Sequence, residues 1–235
     1  MKHRFTFFVV VLMTLTIPNI VKAYSFSAVA PSGQTLYYNI NNSEVTLTYP
    51  NSSWENPWLG YEKPTGELVI PSSVTYNGVT YPVTSIYHGA FLGCTGLTSV
   101  CVPNSVTDMG NLVFNGCTGL TSIVLSEFIT RISTCTFENC INLTSITLSS
   151  QLQSIEASAF YGCSSLASIT LPNSITSIKN NAFYGCSSLT SITIPESLTT
   201  CGSAIFYGCS SLTTVTYNAV YLRCKRPVCI SENRL

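Results

Sequence analysis

Phe91, Phe114, Phe137, Phe160, Phe183 and Phe206 are spaced by 23 residues without a slip. Three residues after each stands a cysteine: Cys94, Cys117, Cys140, Cys163, Cys186 and Cys209. Three further on stands a leucine, from Leu97 to Leu212. Two more apolar columns follow, one through Val100, Ile123, Ile146, Ile169, Ile192 and Val215, the other two residues later. A single 23-residue turn cannot bury its apolar side alone. Stacked turns share a continuous core, so this period dictates a solenoid.

Within a unit such as FYGCSSLTSITIPESLTTCGSAI, residues 183–205, the stretch LTSITI is β-branched and alternating. It reads as a short strand. Equal spacing makes successive strands parallel, each turn advancing roughly 4.8 Å. Ile192 and Ile194 then point inward, and Ser191 and Thr193 outward. Pro195 and its equivalents Pro103 and Pro172 end the strand, because proline donates nothing to the ladder. The columns of Leu198 and Ile178 cover the return side.

The pattern C-x-x-L-x-x-I-x-I-P-x-x-L/I-x-x-I-x-x-x-A-F resembles the BspA-like leucine-rich repeat family, also called the treponemal type. Ser126 and Ser149 replace the proline, and Thr136 replaces the alanine before Phe. The resemblance implies a mainly β fold: a leucine-rich repeat β-solenoid of 23-residue repeats with parallel short strands. It also implies export to bacterial surfaces, adhesion to host proteins or other cells, and no catalysis.

Residues 1–23 read as a signal peptide, with basic Lys2 and Arg4, an apolar run from Phe5 to Leu15, and Val21-Lys22-Ala23 at the cleavage site. The apolar run is shorter than the roughly 20 residues that span a bilayer, and no second one follows. A secreted or cell-surface location is therefore expected. Residues 24–90 are expected to form a β-rich N-terminal cap, with Asn77-Gly78 at the tip of a hairpin. Within it Glu67–Ile70 resembles an early repeat strand. Six repeats fill residues 91–228, and 229–235 form a C-terminal tail. Tyr221, Cys224 and Cys229 read as a degraded closing turn.

Eleven cysteines in an exported chain suggest disulfides. Yet a column residue points the same way in every turn, so the six repeat cysteines are expected to be buried thiols acting as small apolar side chains. Cys201 and Cys224 share another inward column, leaving a bridge there open. Cys101 and Cys135 lie outside these columns and are the expected exposed thiols. No C-x-x-C spacing occurs, and His88 is the one histidine after the signal, so neither zinc nor another cofactor is expected.

Only 9% of residues are charged, against about 25% in an average domain. That excludes a basic nucleic-acid binder, which needs clustered Lys and Arg. Asp108 and His88 are the sole Asp and His beyond the signal, and the glutamates occupy different repeat positions. Neither a Ser-His-Asp device nor a carboxylate pair is expected.

Three surfaces remain as candidates. The outward strand face carries Ser145, Thr147, Ser168, Thr170, Ser191 and Thr193. The resemblance favours this face for a protein partner. Tyr161, Tyr184 and Tyr207 form a row directly after the repeat Phe. The loop NSSWENPWLGYEKPTGE holds Trp54, Trp58 and Tyr61, which either form a platform for a sugar or seal the N-terminal core. The reading is a non-enzymatic protein-binding scaffold, its partner a host matrix or cell-surface protein. The alternatives are a carbohydrate-binding module using the tryptophan loop and a structural surface element without a ligand.

Overall fold

The computed structural model describes residues 23–218. The signal segment and the closing turn with Cys224 and Cys229 therefore lie outside the described residues. The described chain holds sixteen strands and no helix.

The N-terminal part begins with β1 (Phe26–Val29), β2 (Thr35–Asn41) and β3 (Glu44–Thr48), an antiparallel meander. β2 buries Leu36, Tyr37 and Tyr38 in succession, because Trp58 and Tyr61 cover Tyr37 on the face opposite Leu36 and Tyr38. After β4 (Gly66–Val69) comes the hairpin of β5 (Ser73–Tyr76) and β6 (Val79–Ile86). Asn77 and Gly78, with φ of 49° and 78°, make the two-residue turn whose twist suits a hairpin. The second half of β6 turns from this hairpin to run parallel to β3, so the N-terminal sheet feeds directly into the solenoid.

The repeats stack as two parallel ladders joined by turns. The strand ladder contains β4, β7 (Leu97–Cys101), β9 (Ser122–Val124) and β11 (Ser145–Thr147), followed after a gap by β14 (Ser191–Ile194) and β16 (Thr214–Tyr217). Registers such as Ile123↔Ile146 and Ile192↔Val215 put each apolar column in line. The return side, expected only as apolar cover, is itself a ladder. It runs β6–β8 (Asp108–Met109) and then β10 (Arg131–Ile132), β12 (Ser154–Ile155), β13 (Ser177–Ile178) and β15 (Thr200–Cys201).

Between the ladders the six phenylalanines pile in one line. Neighbouring ring centroids are 5.2–5.6 Å apart and the planes lie within 15° of parallel. Beside them each repeat cysteine from Cys117 to Cys209 donates its S–H to the carbonyl of the Phe one turn earlier, at 3.1–3.2 Å. A thiol fits this column because it is small, apolar and still a weak donor. The turn before each Phe needs left-handed backbone: Gly89, Leu112, Cys135, Ser158, Asn181 and Ala204 share one position, with φ between 53° and 64°.

Departures from the repeat have local causes. Ser126 Oγ accepts from the Phe128 amide, and Ser149 Oγ accepts from Gln151 N while donating to Glu127 O. Both hydroxyls rebuild the turn that proline shapes elsewhere. Thr136 Oγ1 is buried and donates to Ser133 O at 2.7 Å.

The gap in the strand ladder lies at the fourth turn. Elsewhere the threonine that opens the strand ties two turns twice. Thr144, for instance, bonds Thr121 O through both its amide, at 2.9 Å, and its hydroxyl, at 3.0 Å. Thr121, Thr190 and Thr213 do the same to the turn before. Ala167 has no hydroxyl, and among the described residues its amide makes no bond to Thr144 O. Ser168–Thr170 is consequently not a strand. Ala167→Thr is expected to close the gap and stabilise the protein by about 1 kcal/mol, the net value of one such bond. A urea midpoint unchanged or lowered would contradict this account.

Candidate functional site

The strand face presents Ser145, Thr147, Ser168, Thr170, Ser191 and Thr193 to solvent. β-Alternation accounts for this, since Ile123, Ile169 and Ile192 between the rows are buried. The gap at Ala167 divides the face: Ser145 and Thr147 belong to the four-stranded block, Ser191 and Thr193 to the two-stranded block. Two further side chains join the first block. Val124 is 55% exposed beside Thr147, and Cys101 is exposed beside Val124.

The tyrosine row is a real stack. Tyr161 and Tyr184 lie 4.7 Å apart at 6°, and Tyr184 and Tyr207 5.0 Å apart at 23°. Tyr161 and Tyr184 are half-buried, and Tyr207 is exposed. The tryptophan loop splits. Trp54 is 64% exposed, while Trp58 is 2% exposed and packs edge-on against Tyr37 at 5.9 Å. Tyr61 meets the same Tyr37 at 5.5 Å. Trp58 and Tyr61 thus seal the aromatic core of the N-terminal sheet, and Trp54 alone offers a ring face to solvent.

The eight other described cysteines are free thiols, whereas Cys201 is disulfide-bonded. Burial pushes the Cys117 and Cys163 thiols up to about 12, so they stay protonated and unreactive at neutral pH. Cys135, expected to be exposed, is half-buried, and burial with the neighbouring Glu138 raises its thiol to about 12. Among the described residues no group of three or more His, Cys, Asp or Glu side chains is placed to hold a metal ion.

One feature escaped the sequence reading. Where the N-terminal sheet meets the return ladder, an open groove of about 560 Å³ is lined by residues including His88, Asp108, Arg131 and Glu156. A second groove of about 320 Å³ shares Asp108 and Arg131 and continues up the ladder. Asp108 and Arg131 form the one ion pair among the described residues, at 3.1 Å, with both side chains more than half exposed. Ser154 Oγ donates to Glu156 Oε1 at 2.8 Å. The available signal was a break in the columns: the outward position of the return ladder is Ser at 85, 154 and 177 and Thr at 200, but Asp and Arg at 108 and 131.

The repeat fold has counterparts in known proteins. A family described as BspA type leucine rich repeat region matches residues 71–165 and 130–223, with six copies. A leucine-rich repeat protein from Bacteroides ovatus is 28% identical with a TM-score of 0.59, over 77% of this chain and 51% of that one. A leucine rich cell surface protein from Faecalibacterium prausnitzii is 27% identical with a TM-score of 0.54, over 79% and 53%. A leucine-rich repeat protein from Eubacterium ventriosum is 26% identical with a TM-score of 0.56, over 75% and 50%. The chain thus spans about half the length of these solved structures. No curated protein matches it.

Proposed function

From the premise that this chain belongs to the BspA-type leucine-rich repeat family, we propose that it is a non-enzymatic, exported protein-binding scaffold. It adheres to a host matrix or cell-surface protein through its strand face. The observation that carries this reading is the strand face itself. From β7 onward its exposed positions are uncharged, held by backbone ladders on either side of the Ala167 gap, and include an apolar side chain at Val124. A protein interface combines such an apolar centre with a polar rim at low ordering cost, because the ladder is already fixed. Surface location accords with the cell-surface protein among the similar structures. No helix among the described residues is long and apolar enough to cross a membrane.

The test is binding to a panel of extracellular-matrix proteins, comparing wild type with the double variant Thr147→Arg/Thr193→Arg. Both positions are exposed, so folding stability should change by no more than about 0.5 kcal/mol per site. Affinity for the partner is expected to fall at least tenfold, about 1.4 kcal/mol. Undiminished binding by the folded double variant would overturn the assignment of the strand face.

A further inference from the structure

The return ladder is interrupted once, and the interruption coincides with the two grooves. Every other neighbouring pair of turns from β6 to β15 is tied by at least two backbone bonds on this side. Gln153 N donates to Thr130 O at 2.8 Å and Glu156 N to Ile132 O at 2.9 Å, for instance. Between β8 and β10 both equivalents, from the Thr130 and Ser133 amides, are missing among the described residues. Ser133 Oγ instead donates to Met109 O at 2.6 Å, and the Asp108–Arg131 pair bridges the turns at the surface. The Thr107 carbonyl and the Thr130 amide, which bond each other's equivalents in the remaining turns, have no backbone partner among the described residues. Both residues line the smaller groove.

An internal repeat supplies its own control. The return ladder needs only a small polar residue at its outward position, as residues 85, 154, 177 and 200 show. Asp108 and Arg131 are therefore not required by the stacking. They stand where the ladder opens, in a chain with only 9% charged residues. Glu156, His88 and the half-exposed ring of Tyr87 are among the other residues lining the larger groove, and Tyr49 backs Tyr87 at 5.9 Å.

We propose that this trough is a binding site for a neutral oligosaccharide. Most of its lining residues carry hydrogen-bonding side chains, among them carboxylate, guanidinium, amide and hydroxyl groups that satisfy the paired donor–acceptor character of vicinal sugar hydroxyls. The exposed Tyr87 ring at its rim offers an apolar face for a pyranose. Its two carboxylates outnumber the single guanidinium, which disfavours an acidic sugar. A peptide strand would need a longer edge than β8 and β10, which are two residues each. The lining also lacks the apolar pocket that anchors a protein side chain. The site is separate from the strand face, so the fate of one proposal does not decide the other.

Calorimetric titration with a panel of neutral hexaoses of gluco, manno, galacto and xylo configuration tests it. At least one is expected to bind, with a Kd below about 1 mM. Tyr87→Ala and Arg131→Ala should each weaken that binding at least tenfold, and Thr147→Arg/Thr193→Arg should leave it unchanged. Tyr87→Ala keeps the test valid should Arg131→Ala disturb the stacking. Absence of binding by all hexaoses, binding that survives both substitutions, or loss on Trp54→Ala instead would overturn the proposal. So would capture of an extended peptide or of a uronic-acid oligomer alone at this trough.

Discussion

Between pH 9 and pH 11 the protein is expected to lose about 5 kcal/mol of stability through two buried thiols alone. Cys117 and Cys163 sit in the repeat column, and burial raises each from 9.0 to about 12. In the unfolded chain they ionise near pH 9; in the folded protein they remain protonated. Above pH 9 the unfolded state therefore binds fewer protons, and stability falls with pH by about 1.4 kcal/mol per unit per thiol. The contribution is fully present below pH 9 and is lost progressively up to about pH 12. Cys140 shifts in the same direction, and burial pushes Tyr37 up to about 12 as well, so neighbouring groups reinforce the trend. Against a total of roughly 5–15 kcal/mol this is enough to unfold the chain. Urea midpoints measured by circular dichroism across pH 7–11 check it. A flat profile above pH 9 would show that the column is hydrated. Cys163→Ala should remove about half of the slope assigned to this pair.

Phe160→Ala should cost about 3–5 kcal/mol, the range for deleting a buried aromatic ring. Phe160 is fully buried, with Phe137 5.3 Å away on one side and Phe183 5.2 Å away on the other. Because each turn contacts only its neighbours, removing a central ring uncouples the turns on either side. The denaturant transition should therefore broaden or split as well as shift. Phe160→Leu, which keeps most of the volume, should cost about 1.5 kcal/mol or less. A loss below 1 kcal/mol for Phe160→Ala would mean that the stack is not a principal source of cohesion.

The period made the stack legible before any coordinates. The Phe line, the inward Ile columns and the outward Ser/Thr rows all follow from 23-residue spacing and strand alternation. The return ladder was not legible, because its strands are two residues long and a Ser-Ile pair is too short to show alternation. The interruptions at Ala167 and at Ser133 depend on which atom ties one turn to the next. A serine or alanine in a polar row does not reveal that. Trp58 and Trp54 are four residues apart in one Pro/Gly-rich loop, and only the packing of Tyr37 separates the buried ring from the exposed one. The groove sits on charged residues that looked scattered along the chain. The ladder brings them to consecutive rungs because 23 residues separate Asp108 from Arg131, and 25 separate Arg131 from Glu156.

The registers Ser154↔Ser177 and Ile155↔Ile178 recur as Ser177↔Thr200 and Ile178↔Cys201. The segments beginning at Phe160, Phe183 and Phe206 share FYGCSSL. On the return side the junctions among these turns therefore have interchangeable mating surfaces. Unequal recombination within that shared stretch would insert or delete one whole module in frame and preserve the return-side register. The reach of the rod is thus an evolvable quantity, adjustable in single steps without redesigning its interior.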